Sequence, residues 1–230
     1  MINKIVESVA AALAGIQDGA TVLIGGFGGA GQPHELIEGL IDQKARDLTI
    51  VCNNAGNGET GIAALLKSGR VRKILCSFPR QADSHVFDGL YRAGKLELEL
   101  VPQGNLAERI RAAGAGIGAF FTPTGYGTEL AKGKETRLIN GRQYVLEYPI
   151  HGDVALIKAE CADRWGNLTY RKAARNFGPV MATGAKLTVA QVFDLVTLGE
   201  LDPELVVTPG IFVKRVVCVE RQSEKGKVAA

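Results

Sequence analysis

The sequence predicts an α/β fold, an open and mostly parallel sheet with helices on both faces, followed by a β-hairpin-rich C-terminal part. Between residues 21 and 113, short apolar or β-branched runs alternate with segments of helical periodicity, and the connections are short. After residue 120 the alternation changes to paired short runs, such as those that flank Asn140-Gly141. The 230 residues predict a single domain over 1–220, with a disordered tail at 221–230.

Local sequence features predict each helix and strand of the first half. A helix is expected at 4–15 because Ile5, Val9 and Leu13 share one helical face. Strands are expected where apolar runs follow turn signals, and helices where the apolar spacing becomes helical and a glycine or proline marks an end. The predicted order continues as strand 21–24, helix 33–43, strand 48–51, helix 60–68, strand 71–76, helix 82–93, strand 96–101 and helix 105–113.

In the second half of the sequence, the first predicted element is a β-hairpin. Asn140-Gly141 suits a tight turn, so 138–139 and 142–146 are expected to pair. A turn at 165–167 separates strand 154–158 from a returning run at 168–170. The last expected elements are a helix from about residue 173, a strand near 187–192 and a final apolar pair, 205–207 and 211–219.

The composition excludes several classes. A net charge of +3 with no basic run does not indicate nucleic-acid binding, and no apolar run approaches the ~18–20 residues of a membrane span. The N-terminal residues lack a signal-peptide pattern. The four cysteines are far apart and form no Cys/His cluster, so neither a metal site nor a disulfide framework is expected. Reduced thiols are typical of a cytoplasmic protein.

A glycine loop lies between the first predicted strand after residue 20 and its helix. Five of its seven residues are glycine, so its backbone can reach positive φ and allow close approach of a ligand. Backbone N–H groups at a helix start favour anions. The loop is therefore a candidate cradle for a phosphate, a pyrophosphate or an oxyanion, formed by Gly25, Gly26, Phe27, Gly28, Gly29, Ala30 and Gly31.

The same loop also fits the dinucleotide fingerprint G-x-G-x-x-G. Two details argue against that ligand. The acidic residue at suitable spacing, Asp47, precedes the second strand instead of ending it, and Pro33 starts the helix only after Gly31. A glycine-rich turn without any ligand is the third possibility.

Ligands of open α/β sheets bind at the carboxyl ends of strands, so the loops 25–32, 52–59 and 102–105 should share one rim. The rim is rich in side-chain amides, including Asn53, Asn54 and Gln103, which donate hydrogen bonds at any pH and suit an oxyanion. Glu59 is its one acid, and no nucleophile is evident. Alternatively, the asparagine pair only satisfies loop and helix backbone groups.

Several motifs, in order, resemble the first of the two subunits of family I CoA-transferases. The resemblance covers almost the whole chain. Its motifs are the glycine loop with the preceding strand, Asn53-Asn54-Ala55-Gly56, Pro102-Gln103-Gly104-Asn105, Phe121-Thr122-Pro123-Thr124-Gly125, Gly166-Asn167 and Arg171-Lys172-Ala173-Ala174-Arg175-Asn176-Phe177.

The resemblance implies that this chain contributes only part of an active site. In the family the thioester is attacked by a glutamate in a Glu-Asn-Gly motif of the second subunit, and CoA passes to a second acid in a ping-pong sequence. This chain has no Glu-Asn-Gly, so the implied partner is a beta subunit. CoA is then a substrate and no cofactor is expected. Carried over by motif, the loop Gly25–Gly31 would bind CoA, and Asn53, Asn54 and Gln103 would line the acyl pocket.

Residues 57–61 and 76–81 most resemble the subfamily that transfers CoA from succinyl-CoA to 3-oxoadipate in aromatic degradation. Its acceptor has a distal carboxylate, for which Arg80 is a candidate ligand, with Arg171 and Arg175 as alternatives. Arg80 could instead be a solvated surface residue, and Arg171 and Arg175 could instead contact the phosphates of CoA; the sequence does not choose between these roles. The first alternative function is the same reaction on acetoacetate, another 3-oxo acid. A more remote one is a non-catalytic acyl-CoA- or dinucleotide-binding protein.

Overall fold

A computed structural model describes residues 1–221 and contains an eight-stranded sheet in which every neighbouring pair is parallel. The strand order is β1-β14-β12-β9-β2-β3-β4-β5. The strands are β1 Ile5–Val6, β2 Thr21–Ile24, β3 Leu48–Val51, β4 Val71–Cys76, β5 Glu97–Leu100, β6 Phe120–Thr122, β7 Thr136–Ile139, β8 Arg142–Glu147, β9 Gly152–Lys158, β10 Cys161–Ala162, β11 Leu168–Thr169, β12 Ala185–Val192, β13 Asp194–Leu195 and β14 Arg215–Cys218.

Helices cover both faces of this sheet. The α-helices are α1 Val9–Leu13, α2 His34–Gln43, α3 Ile62–Lys67, α4 His85–Arg92, α5 Gln103–Ala115 and α6 Gly178–Thr183. Strand side chains alternate between the two faces: Val22 and Ile24 pack with helices α1–α4, whereas Leu23 packs with α5 and α6. Both apolar clusters are buried, which confirms the predicted fold class.

Two small three-stranded sheets accompany the large one. In the first, the predicted hairpin is confirmed: β7 pairs with β8 around Asn140-Gly141, and β6 pairs with the other edge of β8. In the second, β10 lies between β11 and β13. Short 3₁₀ turns occupy Glu129–Ala131, Lys172–Arg175, Pro203–Leu205 and Gly210–Phe212.

The predicted helix 4–15 is wrong at its start. Ile5 and Val6 form strand β1 beside Val216 and Val217, and the helix begins only after Ser8, whose side chain accepts a hydrogen bond from the Ala11 N–H. The partner strand lies far away at the other end of the chain, so local periodicity carries no sign of it.

The final apolar pair is also corrected. Asp202 caps a 3₁₀ turn at Pro203–Leu205 in place of a strand at 205–207, and only Arg215–Cys218 of the run 211–219 joins the sheet. The helix expected from about residue 173 is a 3₁₀ turn, Lys172–Arg175, followed by α6. Of the predicted tail 221–230, all but Arg221 lies outside the described residues; Arg221 pairs with Glu160 and Asp194.

Candidate active site

The glycine loop leaves the sheet at its topological switch point. The chain builds β2, β3, β4 and β5 outwards in one direction, then returns to place β9, β12 and β14 on the other side of β2. The loop follows β2, and the Gly25 N–H donates to the Leu156 carbonyl of β9 at 3.0 Å. Loops at such a point flank a crevice, which is the usual ligand position in an open α/β sheet.

The loop itself is a tight hairpin turn. Phe27 and Ala30 exchange two backbone hydrogen bonds of 2.9 and 3.0 Å, with Gly28 at φ +58°. Only glycine fits at position 31, because a Cβ there would overlap the Ala174 carbonyl oxygen. Around Gly29 nothing lies within 4 Å of such a Cβ. The tip of the loop is therefore open, whereas its base is packed against residues 171–176.

The start of helix α2 is closed to a ligand. Pro33 has no N–H, and the Leu36 N–H donates to the side-chain oxygen of Gln191, a fully buried residue of β12, at 3.2 Å. The open tip of the loop is therefore the candidate contact for an anion. Asp47 stands before β3, at the opposite end of the strand from the loop, where it cannot reach a ribose bound there.

The rim holds a cavity of about 550 Å³. Loops after β2, β3 and β4 and the start of α5 line it, so the predicted meeting of loops 25–32, 52–59 and 102–105 is observed. No lining side chain carries a charge. The lining residues are Phe27, Gly28, Asn53, Ser77, Phe78, Gln81, Ala82 and Gln103.

An amide pair forms the polar side of the cavity. Gln103 Nε2 donates to Asn53 Oδ1 at 2.6 Å, and Asn53 is only 4 % exposed. The Asn53 backbone carbonyl in turn accepts from the Ser77 and Phe78 N–H groups. The two side chains are thus fixed, and the second amide hydrogen of Gln103 and the Asn53 NH₂ group remain to donate to a substrate oxygen.

Asn54 is engaged within the protein. It is 2 % exposed; its Oδ1 accepts from the Gly56 N–H at 2.9 Å, and its Nδ2 lies 3.5 Å from the Gly28 carbonyl oxygen. Gln32 Nε2 donates to that same carbonyl at 2.8 Å. This geometry matches the alternative in which Asn54 satisfies loop backbone groups, and its role as an oxyanion donor stays a prediction.

Ser77, Phe78 and Gln81 were absent from the predicted site. They follow β4, and the carboxyl-end rule applied to the predicted strand 71–76 would have found them as readily as it found Asn53. Phe78 is 60 % exposed and Phe27 is 52 % exposed, so two aromatic rings stand at the mouth of a cavity. Exposed aromatic rings of this kind are typical of surfaces that bind a partner or a ligand.

Arg80, the candidate carboxylate ligand, forms an ion pair on the loop after β4. Its guanidinium Nε lies 2.6 Å from Asp88 Oδ1 in a largely exposed ion pair, and Arg80 does not line the cavity. An exposed pair of this kind contributes only about 0–1 kcal/mol, so a ligand could displace it. Its role as a carboxylate ligand therefore stays a prediction.

The rim groups that could attack a thioester are unsuited to it. Burial raises the pKa of the Cys52 thiol well above its usual value and that of Cys76 to about 12, so both are protonated thiols. Glu59 is exposed, and its hydrogen bond and ion pair with Lys67 lower its pKa, but it is held by Lys67 and does not line the cavity. Within residues 1–221, no group of three or more potential metal ligands is present.

Residues 6–219 match the family model described as Coenzyme A transferase. The chain belongs to this family. Over 95 % of its length, this transferase chain is 72 % identical to one of the subunits of the 3-oxoadipate CoA-transferase of Pseudomonas putida, of which it also covers 95 %. It is 46 % identical, over 97 % of its length and 93 % of the relative, to the corresponding subunit of a probable succinyl-CoA:3-ketoacid coenzyme A transferase of Bacillus subtilis.

A solved structure supports the fold as well. An acyl-CoA transferase of E. coli O157:H7, crystallised as a thioester complex with CoA, superimposes on this transferase chain with a TM-score of 0.82 at 25 % identity. The match covers 97 % of this chain but only 48 % of that enzyme, so the chain spans about half of its length. Among residues 1–221, no helix is both long and apolar enough to cross a membrane.

Proposed function

We propose that this chain is the alpha subunit of a heteromeric CoA-transferase that moves CoA from succinyl-CoA to 3-oxoadipate in aromatic degradation. The observation that carries the proposal is the incomplete site: an amide-lined cavity at the switch point, in a chain whose described rim offers no competent nucleophile. The acceptor is chosen from the name of the 72 % identical relative. The cytoplasm is the proposed location.

The missing nucleophile is assigned to a beta subunit with a Glu-Asn-Gly motif. Its glutamate attacks the thioester of succinyl-CoA, which releases CoA and leaves a mixed anhydride. CoA attacks the glutamyl carbonyl of that anhydride, which expels succinate and leaves a glutamyl-CoA thioester. The acceptor carboxylate attacks this thioester to give a new anhydride and free CoA, and CoA then attacks the acceptor's acyl carbonyl, which restores the glutamate. CoA is a substrate throughout, and no cofactor is proposed.

Asn53 and Gln103 are proposed to stabilise the oxyanion of each tetrahedral intermediate. Their mutual hydrogen bond of 2.6 Å fixes both amides before the substrate arrives, so no reorganisation is needed as charge develops. A fixed donor of this kind contributes about 3–4 kcal/mol to the transition state. Asn54 supports the site from behind by its contact with Gly28.

The glycine loop is proposed to contact CoA through its open tip. Arg171 precedes the turn Lys172–Arg175, and Arg175 is its last residue. This turn packs on the base of the loop, and the next residue, Asn176, donates from its Nδ2 to the Ala30 carbonyl at 3.0 Å. Two cationic side chains beside an open backbone turn suit the phosphate groups of CoA.

The test is reconstitution. The purified chain should show no transfer of CoA from succinyl-CoA to 3-oxoadipate, and activity should appear when a Glu-Asn-Gly beta subunit is added. Full activity of the chain alone would contradict the proposal. No transfer to either 3-oxoadipate or acetoacetate in the complete complex would favour a non-catalytic CoA-binding protein instead.

The second candidate is the same reaction on acetoacetate, which the name of the Bacillus subtilis relative favours. The ratio of kcat/KM for 3-oxoadipate and acetoacetate, measured in the reconstituted complex, decides between them. A higher value for acetoacetate would replace the proposed acceptor.

A further inference from the structure

The hydroxyl of Ser77 is a buried polar group without a hydrogen-bond partner, in a residue that lines the cavity. Two other side-chain atoms among residues 1–221 share that property, Gln43 Oε1 and Arg70 Nε, and neither residue lines the cavity. An orphaned hydroxyl is unfavourable in a folded protein, and it usually marks a group that a water or a ligand satisfies.

The Ser77 backbone is held firmly beside the amide pair. Its N–H donates to the Asn53 carbonyl at 3.1 Å directly after β4. The side chain has three staggered positions about its Cα–Cβ bond, and Ser77 as a residue is only partly buried. Rotation about this bond moves the hydroxyl between these positions without movement of the backbone.

The cavity offers no charged partner for an anion. Its polar side chains form two groups: Asn53 with Gln103, and Ser77 with Gln81 on the loop after β4. The Arg80 guanidinium, on the same loop, is paired with Asp88. On this chain, a carboxylate that enters beyond the amide pair therefore meets only neutral donors.

We infer that Ser77 is a specificity-determining residue, whose hydroxyl donates a hydrogen bond to the distal carboxylate of a dicarboxylic 3-oxo acid. The inference rests on the proposed function. Acetoacetate has no distal carboxylate and leaves the hydroxyl unpaired, so Ser77 favours the dicarboxylic acceptor. A neutral donor suits this task because it carries no charge that would need a partner when a monocarboxylic acid occupies the cavity.

The experiment compares S77A with wild type in the complex with the beta subunit, and succinyl-CoA is the donor. For 3-oxoadipate kcat/KM should fall about ten- to a hundredfold, mainly through KM, as expected for loss of a hydrogen bond to a charged group. For acetoacetate it should stay within about twofold. The thermal midpoint should not fall, since the variant removes an orphaned group.

Two control variants accompany it. S68A removes a hydroxyl already bonded to the Leu65 carbonyl at the end of α3 and should leave both acceptors unchanged. R80A removes the guanidinium and keeps the Ser77 hydroxyl, so it tests which of the two groups binds the distal carboxylate. A selective loss for 3-oxoadipate in R80A, with S77A unaffected, would assign the carboxylate to Arg80 and overturn the inference.

Failure of the inference differs from failure of the proposed function. If wild type transfers CoA to 3-oxoadipate but S77A loses activity equally on both acceptors, or unfolds earlier, Ser77 has a structural role and the inference is rejected. If wild type prefers acetoacetate or transfers no CoA at all, the proposed function fails first and the inference fails with it.

Discussion

At the scale of single residues, the hydrogen bond between Gln103 and Asn53 joins the start of α5 to the loop after β3, across 50 residues of chain. Asn53 is buried, and its backbone carbonyl also anchors the loop after β4. The pair therefore places two uncharged donors at the cavity and keeps them in place across the pH range. Both residues line the cavity, whereas Asn54 does not and uses its amide on loop backbone groups.

Gln103→Ala tests this pair. In the reconstituted complex kcat should fall about a hundred- to a thousandfold, since one preorganised donor is lost and Asn53 loses its partner. The midpoint of urea unfolding should change little, because Gln103 is exposed at the first position of α5. Gln17→Ala, an exposed glutamine far from the rim, is the control. Unchanged kcat in Gln103→Ala would restrict the pair to a structural role.

At the scale of elements, glycine sets how closely two helices pack. A Cβ at Gly39 of α2 would overlap Val9 Cγ1 and would lie 2.8 Å from Leu13 Cδ1 of α1. At Gly89 of α4, nothing lies within 4 Å of a Cβ. Gly39 thus allows α1 and α2 to pack closely, whereas Gly89 only lowers the helix propensity of α4.

The two positions form a matched pair of substitutions. Gly39→Ala should lower the free energy of unfolding by about 1–3 kcal/mol, because α1 must move or its side chains must leave their preferred rotamers. Gly89→Ala should raise it by about 0.5–1 kcal/mol through helix propensity. Chemical denaturation measures both. Equal changes in the free energy of unfolding at the two positions would show that α1 and α2 accommodate the added methyl group without strain.

At the scale of the whole molecule, a buried carboxylate ties the small sheet to the large domain. Glu147, at the end of β8, is 3 % exposed and accepts from Asn105 Nδ2 of α5 at 3.2 Å and from Lys134 Nζ at 2.7 Å. Arg109, further along α5 from Gln103, lies 3.7 Å from the other carboxylate oxygen and also pairs with Glu99. The small sheet thus contacts the helix that carries Gln103.

Glu147→Gln removes the charge and keeps the shape. We expect the free energy of unfolding to fall by about 3 kcal/mol, at the low end for a broken buried ion pair, because Lys134 is partly exposed and Arg109 keeps Glu99. Glu97→Gln, which breaks an exposed pair with Arg72, should change it by less than about 1 kcal/mol. Similar small losses in both variants would mean that solvent reaches Glu147.

The sequence by itself determined the strands β2, β3 and β4 to the residue, because apolar β-branched runs between turn signals are a local property. It also determined that the loops after β2, β3 and β5 meet, since parallel strands end at one edge of a sheet. The glycine loop and its neighbours Asn53 and Gln103 followed from that rule, and the motifs indicated the family.

Only the tertiary structure decided which groups these residues contact. Gln191 closes the start of α2 from 155 residues away, and Ile5 and Val6 join the sheet through β14. The absence of a hydrogen-bond partner for the Ser77 hydroxyl is likewise visible only in the tertiary structure. A side chain's hydrogen-bond partner depends on which distant segments the strand order brings beside it, and neither propensity nor spacing within a segment records that order.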